Sequence, residues 1–528
     1  MLKVIQNTWR RLESFSEMEY RNTPYFKIGS ARDLVGVDRI VYRALEILPG
    51  SLSWLTIIGT ILLSMYAPIA AAYFIIAFDL YWFLKTIYLS AHLRHNWKRV
   101  KYNLSLDWGE MLSKLRYEHI LHLVILPYSM ESIEVVEQSV QALLATEYDK
   151  SRIALVLARE EGAGDKAREI AETIERKHGR EFGYFLITTH PSGVEGEMAG
   201  KGSNISYAAE EARKHILDKN NFDYKNVILS AFDIDTVAYR QYFLCLTWHF
   251  LTVPDPYKVS FQPVPFYNNN IWDAPAFSRV VAGSSTFWQM VQQERPEKLA
   301  TFSSHSVSFQ SLYEIGYWQK NMVSEDSRIF WNLFLSRDGD YSVYPLSYPV
   351  SMDANLAPTF WQTSRNIYKQ NRRWTWGVEN LPYLLFGFIK NKKIPLKTKI
   401  KTTIVQIEGF WSLATNPLMI FLLGWLPVIL GGDKFNKTIL SYNLPFLTRN
   451  IMIIAMLGLI LSSMIFISFL PIRPVKKSGA SKWAMILQWV LVPFTITIFG
   501  AIPGLDAQTR LMLGKYMGFW VTPKHRKN

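Results

Sequence analysis

Cysteine is almost absent from this sequence, in which Cys245 is the single example among 528 residues. One cysteine excludes an intramolecular disulfide and any zinc site built from several cysteines. The composition is therefore typical of a protein whose folded part lies in a reducing compartment such as the cytosol. Cys245 itself is most simply interpreted as a small, buried, apolar residue.

A cleavable secretory signal is also lacking. The first 45 residues are polar and mixed in charge, with Arg10, Arg11, Glu13 and Glu17, and contain no short apolar core followed by small residues. Such a core and cleavage site define a secretory signal. We therefore expect the first membrane helix to act as its own uncleaved signal.

Apolar and basic residues are abundant. Hydrophobic residues make up 49% of the chain, aromatic residues 14%, and the formal net charge is +14. The basic residues lie mainly beside the apolar runs, where the positive-inside rule explains them more simply than binding to nucleic acid does. We therefore expect a lipid bilayer, and no nucleic acid, as a partner.

The apolar runs predict membrane helices on both sides of a long polar region. A span needs about 20 apolar residues in helical form. Residues 51–66 and 68–90 form a pair, residues 409–430 and 451–471 are further spans, and residues 483–503 are a weaker one because Pro493 and Gly500 interrupt it. Asp79 and Lys85, inside the second run, are expected near an interface or facing protein.

The basic loops predict an integral, multi-pass protein of the plasma (inner) membrane with its catalytic part in the cytosol. Five full crossings would leave the basic C-terminal tail outside, so we expect a re-entrant or interfacial segment around Pro493 and a cytosolic tail. The expected units are a cytosolic segment 1–50, two transmembrane helices 51–91, a cytosolic catalytic domain 92–390, C-terminal transmembrane or re-entrant helices 391–504, and a tail 505–528.

The polar region alternates apolar strand patterns with amphipathic helix patterns. Such alternation predicts an α/β fold with a parallel sheet and helices on both faces. Ligands of these sheets bind beyond the carboxyl ends of the strands. The strand patterns cover residues 119–127, 152–158, 183–189 and 226–233, and the helix patterns cover 133–145 and 165–177.

Two carboxylates follow the fourth strand in the segment AFDIDT. Asp233 and Asp235 are two residues apart at a strand end, where both side chains can face the same side once the strand turns. Oxygen ligands of this kind hold the hard divalent cations that bind diphosphates. A solvated acidic turn is the alternative interpretation of an isolated instance.

Two further acidic residues, Glu325 and Asp326, begin a helical pattern in SEDSRIFW. A sugar hydroxyl that attacks an anomeric carbon needs a carboxylate to take its proton. The alternative is an acidic first turn that is stabilised by the helix dipole.

The segment QNRRWTWG, residues 370–377, combines cations with an aromatic ring. Arg372 or Arg373 can clamp a diphosphate leaving group, and Trp374 offers a flat face to a sugar. The alternative is a basic, aromatic helix at a membrane surface.

Taken together, these motifs resemble those of the processive-type family 2 glycosyltransferases, which include cellulose and hyaluronan synthases. The family signature is a series of aspartates followed by Q-x-x-R-W, and Asp233, Asp235, Asp326 and residues 370–374 occur in that order. The segment GEMAGKGSNISYA (196–208) is similar to the family's K-x-x-N segment, and FWVTPK (519–524) is similar to the gating loop of cellulose synthases.

The resemblance implies a cytosolic GT-A (Rossmann-like) domain that binds a nucleotide-sugar donor, Mg²⁺ or Mn²⁺, and a glycan or glycolipid acceptor. It implies the general base at Asp326, with Asp235 and Arg373 also catalytic. Asp235 and Asp233 would hold the metal, and Trp374 and Glu325 would bind the acceptor. The implied donor-binding residues are Asp233, Lys201, Asn204, Glu160, Gln370 and Arg373.

The sequence departs from the family after the second strand, where LAREEG replaces the usual pair of aspartates. Glu160 or Glu161 substitutes for them, with uridine as the expected nucleotide and guanosine as the alternative. The resemblance implies an inverting enzyme that extends a β-linked polysaccharide. A non-processive enzyme that makes a glycolipid and an inactive glycan-binding scaffold are the alternatives, and the sequence leaves the sugar, the linkage and the oligomeric state open.

Overall fold

The computed structural model describes residues 24–472 and 482–523. Its strands are β1 Leu121–Tyr128, β2 Ile153–Glu160, β3 Tyr184–His190, β4 Val227–Ala231, β5 Val237–Ala238, β6 Val259–Tyr267, β7 Ser306–Ser308 and β8 Ser342–Met352. Its α-helices are Gly36–Tyr66, Pro68–Ser105, Trp108–Leu112, Ile133–Leu144, Gly164–His178, Lys201–Ala212, Tyr242–Thr252, Ala276–Gln293, Phe309–Ile315, Glu325–Ser336, Phe360–Thr375, Asn380–Lys390, Leu396–Phe421, Leu426–Leu430, Gly432–Asn436, Ile439–Ser468, Lys482–Leu487, Val492–Ile496 and Ile502–Met512.

The first four strands confirm the predicted βα series. They pair in parallel in the order β3-β2-β1-β4, so their carboxyl ends lie along one edge. The central strand β1 is buried on both faces: Leu123 and Ile125 pack into one core, and Val124 and Leu126 pack into the other. A strand covered by helices on both faces reads as a continuous apolar run, which is why the sequence pattern was clear.

The second half of the sheet corrects the prediction of a purely parallel sheet. The full order is β3-β2-β1-β4-β7-β6-β8-β5, in which β7 pairs antiparallel with both β4 and β6. Strand β6 carries two prolines, and its register with β8 shifts between Gln262 and Val264. Proline removes a ladder hydrogen bond and is tolerated at such irregularities, so these segments lack an ordinary strand pattern. The fold is a mixed α/β sheet.

Among the described residues, three helices are long and apolar enough to cross a membrane. A fourth is added if the pair Leu396–Phe421 and Leu423–Leu430, which is bent by 49°, counts as one span. The segment that was expected to be weaker, near Pro493, lies in one of the three. The helix Ile439–Ser468 contains residues 451–468 of the expected span 451–471, and several of its side chains lie outside the described residues. The three candidates are Gly36–Tyr66, Pro68–Ser105 and Trp483–Met512.

Helices from the two ends of the chain pack together through polar contacts. The Ser53 hydroxyl donates to Gln508 Oε1 at 2.6 Å. Asp79 is buried and accepts a hydrogen bond of 2.7 Å from Thr448, as expected for a carboxyl group that faces protein. Asn96, near the end of the helix Pro68–Ser105, donates to Ser347 of β8 at 3.1 Å. The helix Pro68–Ser105 is therefore attached directly to the sheet.

Candidate active site

A cavity of about 1000 Å³ runs from the carboxyl ends of the strands to the long helices. It brings together all ten residues that the sequence singled out as site residues, although they come from segments far apart in the chain. The ten are Glu160, Lys201, Asn204, Asp233, Asp235, Glu325, Asp326, Gln370, Arg373 and Trp374.

The two aspartates of AFDIDT continue directly from β4. Phe232 donates its backbone N–H to Ile125 of β1 at 3.1 Å, and the side chains of Phe232 and Ile234 are buried in the core. The backbone then turns, with the Thr236 N–H donating to the Asp233 carbonyl at 2.9 Å, and both Asp233 and Asp235 line the cavity. Asp235 is fully buried, and its Oδ2 accepts a hydrogen bond of 2.9 Å from the backbone N–H of Asp353.

Lys201 joins the aspartates of two distant motifs. Its Nζ lies 2.5 Å from Asp233 Oδ1 and 2.9 Å from both carboxylate oxygens of Asp326. Burial opposes the charge of this ammonium group, but the nearby carboxylates of Asp233, Asp326 and Glu325 outweigh burial and raise the pKa of Lys201. The site therefore carries a charged ammonium between the two carboxylates.

Asp326 and Glu325 lie in the first turn of the helix Glu325–Ser336, as the motif predicted. Burial, and then the negative charge of Asp326, raise the pKa of Glu325. The loop before the helix is held by Glu379, whose Oε1 accepts from the Ser324 backbone N–H at 2.9 Å and from its hydroxyl at 2.8 Å. Glu379, shortly after Trp374 in the chain, thus helps to position Asp326, the carboxylate that the sequence predicts as the general base.

The structure separates the two arginines of QNRRW. Arg372 turns away from the cavity and forms an ion pair of 2.9 Å with Asp506. Arg373 lines the cavity, where its guanidinium group lies 5.0 Å from the ring centroid of Phe519. Of the two candidates for a diphosphate clamp, the cavity therefore contains Arg373. Gln370 also lines the cavity and accepts a 3.3 Å hydrogen bond from Asn355.

Trp374 is half-buried and forms part of an aromatic wall. Its ring centroid lies 5.9 Å from that of Tyr267 and 5.8 Å from that of Phe302. The aromatic face that the sequence predicted is thus present on the cavity side.

The C-terminal FWVTPK segment lies against the same cavity. Phe519 packs so closely on Gly200 that a Cβ added to this glycine would lie 2.7 Å from Phe519 Cγ. Trp520 lies under Lys369, whose Nζ is 5.2 Å from the ring centroid. The last residue of the motif, Lys524, lies outside the described residues.

The ends of β2 and β3 add residues that the sequence reasoning missed. His190 is buried between two carboxylates: Nδ1 lies 2.9 Å from Glu160 Oε2, and Nε2 lies 2.9 Å from Glu197 Oε2. Burial is the largest of the causes that raise the pKa of Glu160. Asn204 donates to the carbonyl of Ala158 at 2.9 Å. His190 directly follows the predicted strand 183–189 and pairs in register with Glu160, so its position at the strand end was an available signal.

Three further polar residues support the aspartates, and no motif marked them. The Ser303 hydroxyl donates to Asp233 Oδ2 at 2.5 Å, and the Thr301 hydroxyl donates to the backbone carbonyl of Asp326 at 2.5 Å. His305 Nδ1 lies 3.8 Å from Asp326 Oδ1, and burial lowers the pKa of this imidazole. They belong to the loop before β7, the short antiparallel strand that the sequence did not reveal.

In the part of the chain that the structure describes, no three His, Cys, Asp or Glu side chains form a metal-binding group. Asp233 and Asp235 nevertheless suit Mg²⁺ or Mn²⁺ that arrives with a diphosphate. Magnesium is commonly bound by one or two carboxylates together with substrate phosphates and water. The residues present therefore fit a metal that is shared with a donor.

No family model matches the sequence, and no curated protein matches it. Among solved structures, the chain is similar to the mannosyltransferase PcManGT from Pyrobaculum calidifontis in complex with GDP-Man and Mn²⁺, at 12% identity and a TM-score of 0.41, over 84% of this chain and 99% of the other. It is also similar to residues 1–349 of S. aureus TarS in complex with UDP-GlcNAc, at 10% identity and a TM-score of 0.35, over 66% and 91% of the two chains. A functional assignment therefore rests on the cavity.

Proposed function

We propose that this protein is a membrane-embedded, inverting glycosyltransferase with a GT-A fold, of the processive family 2 type, that uses a nucleotide-sugar donor. The observation that carries the proposal is the contact of Lys201 with Asp233 and Asp326 in one cavity with Arg373 and Trp374. If the three motifs were only an acidic turn, a helix cap and a membrane-surface helix, nothing would require their side chains to lie in the same cavity.

The donor binds along the carboxyl ends of the strands. Glu160 and Asn204 lie at the nucleotide end, and Lys201 and Asp233 lie nearer the sugar. Arg373 and Gln370 face the diphosphate, where a positive charge stabilises the leaving group as it departs. Asp233 and Asp235 would hold Mg²⁺ or Mn²⁺, which would supply positive charge to neutralise the diphosphate. Glu160 receives the nucleoside, with uridine as the leading expectation.

The reaction is a single displacement. An acceptor hydroxyl oxygen forms a bond to the anomeric carbon while the bond from that carbon to the diphosphate oxygen breaks. The acceptor proton passes to a carboxylate oxygen of Asp326, and the electron pair of the broken bond leaves on the diphosphate. Contact with Lys201 and Thr301 keeps Asp326 in place for this transfer. One displacement inverts the anomeric carbon and gives a β-linkage from an α-linked donor.

The acceptor lies against Trp374 and Glu325, toward the long helices. We propose the end of a growing β-linked polysaccharide as the acceptor, with release across the membrane through those helices. A glycolipid product is the second candidate, because the cavity continues between helices that are apolar enough to face lipid. The catalytic domain lies in the cytosol at the plasma (inner) membrane, as the basic loops favour.

A donor screen tests the proposal. Purified full-length protein is incubated with Mn²⁺ or Mg²⁺ and single UDP- or GDP-sugars, and nucleotide release is measured with and without membrane lipid extract. We expect nucleotide release with one of the donors, and we expect it to be lost when the metal is chelated. Release should be about 10³-fold slower in Asp326→Asn, because a general base contributes about 10²–10⁴-fold to the rate. Asp340→Asn, which changes a surface carboxylate paired with Lys258, is the control. Unchanged release in Asp326→Asn would disprove catalysis at this site.

Extraction of a radiolabelled product with organic solvent separates the two acceptor classes. A product that stays in the aqueous phase and is retained by a size filter supports the polysaccharide synthase. A product that is entirely extractable supports the glycolipid enzyme.

A further inference from the structure

A second part of the cavity, away from the strand ends, is lined by cations. We call it the basic arm and define it by Lys85 of the helix Pro68–Ser105, Trp288 of the helix Ala276–Gln293, Arg295 and Lys298 in the following loop, and Glu408 of the helix Leu396–Phe421. All five line the same cavity as Asp326. None of them belongs to a motif that the proposed reaction uses.

The basic arm holds more positive than negative charge. Lys85 Nζ contacts Glu408 Oε1, and Lys298 Nζ lies 3.8 Å from Glu408 Oε2, so one carboxylate serves two ammonium groups. Burial, and then the nearby charge of Arg295, lower the pKa of Lys298. A site that is positive and partly removed from water favours an anion.

Arg295 provides an independent observation. Its side chain is only 9% exposed, and its Nε makes no hydrogen bond with the part of the chain that the structure describes. The nearest carboxylate oxygen, Glu297 Oε1, is 3.9 Å from Nε, and the guanidinium carbon is 5.3 Å from the ring centroid of Tyr88. A buried guanidinium nitrogen that makes no hydrogen bond is costly, and a phosphate oxygen is a suitable acceptor for it.

The walls of the arm indicate where its ligand comes from. The helix Pro68–Ser105 is a candidate membrane span, and Leu396–Phe421 is the longer part of the bent candidate pair. Trp288 of the arm is an exposed large apolar side chain, as is Leu84, which precedes Lys85 in the chain. Tryptophan at such a boundary is typical of the interface between lipid and water. These walls favour a ligand that comes from the headgroup region of a bilayer.

The arm is also connected to the reaction centre. Lys298 precedes Thr301 by three residues, and the Thr301 hydroxyl donates to the backbone carbonyl of Asp326 at 2.5 Å. In the proposed function, the diphosphate of the nucleotide-sugar has its own cation at the strand ends, Arg373, beside the metal that Asp233 and Asp235 would hold. A second anion is thus expected in the arm, and a neutral polysaccharide does not supply one.

We propose that Arg295 and Lys298, with Lys85, bind the phosphate of a membrane lipid, and that this phospholipid or polyprenyl phosphate is the molecule on which the acceptor is carried. The second part of the proposal rests on the proposed glycosyltransferase function. The first part, the lipid-phosphate site, stands on the arm alone. A lipid-phosphate site beside the reaction centre favours the glycolipid product, the second candidate above, over the free polysaccharide.

The test measures binding without any donor. Full-length protein in a neutral maltoside detergent is titrated with radiolabelled polyprenyl phosphate and, separately, with the matching polyprenol. Saturable binding of the phosphate is expected, weakened about tenfold or more by Arg295→Gln and by Lys298→Gln, because each removes a charge-assisted contact. Lys258→Gln, whose partner Asp340 is on the surface, is the matched control and is expected to bind normally.

Several results would overturn the proposal. Equal binding of polyprenol and polyprenyl phosphate would show that the arm does not recognise the phosphate group. Equal competition by inorganic phosphate at the same concentration would identify a free-anion site instead. Unchanged binding in folded Lys298→Gln, which alters a less buried residue than Arg295→Gln, would exclude the arm as the site. Failure of the proposed enzyme function appears separately, as saturable binding of polyprenyl phosphate together with no nucleotide release from any donor in the presence of membrane lipid extract.

Discussion

The two parts of the cavity differ in how their charges are balanced. At the strand ends, Lys201 is held between Asp233 and Asp326, and His190 is held between Glu160 and Glu197. In the basic arm, Lys85 and Lys298 share one carboxylate, and the buried Arg295 Nε makes no hydrogen bond within the described residues. The strand ends are thus organised largely by contacts among the protein's own side chains, although Arg373 Nε there also makes no hydrogen bond within the described residues. In the arm, by contrast, the cations outnumber the carboxylates that they contact.

Lys201→Met tests the balance at the strand ends and has the largest expected effect. It leaves Asp233 and Asp326 facing each other without the ammonium group between them. We expect sugar transfer to fall by about 10²–10³-fold, the range for losing a group that stabilises developing charge. Nucleotide release by the purified variant measures the loss.

A double variant identifies the cause of that loss. If charge balance matters, Lys201→Met and Asp233→Asn together will destabilise the protein less than the two single changes added, because the residues are in contact. Thermal unfolding of the four proteins measures the coupling. Strict additivity would contradict the role of Lys201 as a shared counter-ion.

Arg373→Gln and Arg372→Gln form a matched pair on one helix. Arg373 lines the cavity, whereas Arg372 is paired with Asp506. We expect Arg373→Gln to slow transfer by about 30-fold, equivalent to losing roughly 2 kcal/mol of charge-assisted contact with the leaving group. Arg372→Gln is expected to change activity by less than about threefold and to lose at most about 1 kcal/mol of stability, because its ion pair is partly exposed. Equal loss in both variants would contradict the assignment of Arg373 to the diphosphate.

The same contrast explains what could be predicted from the sequence. Strands β1 to β4 are buried apolar runs, and functional side chains follow them at the strand ends, so a linear pattern marks both the element and the place. Asp233 and Asp235 are the clearest example, because they alternate in the sequence with Phe232 and Ile234, whose side chains are buried. His190 has the same kind of position, and attention to every strand end would have found it.

The basic arm has no such linear signature. Lys85, Arg295 and Glu408 belong to three segments more than a hundred residues apart, and each alone is typical of a membrane-flanking charge. Only the packing of helices brings them together. The prolines of β6 similarly conceal strands that pair over long separations. The second half of the sheet, with its antiparallel strand β7 and the loop that contains Ser303 and His305, therefore could not be placed from local patterns.

Gly200→Ala probes the C-terminal segment against the strand ends with a smaller effect. The added Cβ would lie 2.7 Å from Phe519 Cγ, closer than two such carbons approach, so Phe519 must move. Because Phe519 also lies beside Arg373, we expect the KM for the donor to rise by about three- to tenfold, a cost of about 1 kcal/mol.

The control for this change lies in the same segment. A Cβ at Gly518 would meet nothing within 4 Å, so Gly518→Ala is expected to leave the donor KM unchanged. An identical rise in both variants would show that the segment responds to general stiffening and not to its contact with Gly200.

Glu325→Gln has the smallest expected effect of these variants, and the property that it changes is how the stability of the protein depends on pH. Burial and the charge of Asp326 raise the pKa of Glu325, so the folded protein holds this proton at pH values where the unfolded chain releases it. Because the folded state binds more protons, stability falls as pH rises from the ordinary glutamate value toward the raised one, at on the order of 1 kcal/mol per pH unit. Glutamine resembles the protonated acid and removes that loss of stability.

Thermal unfolding between about pH 5 and 8 should therefore show that the stability of the variant increases relative to that of the native protein as pH rises. The control is Glu110→Gln, at a carboxyl group that is 72% exposed, which should leave the pH profile unchanged. A constant difference across this range would mean that Glu325 is charged in the folded protein, and that the strand ends are balanced by Lys201 alone against three carboxylates.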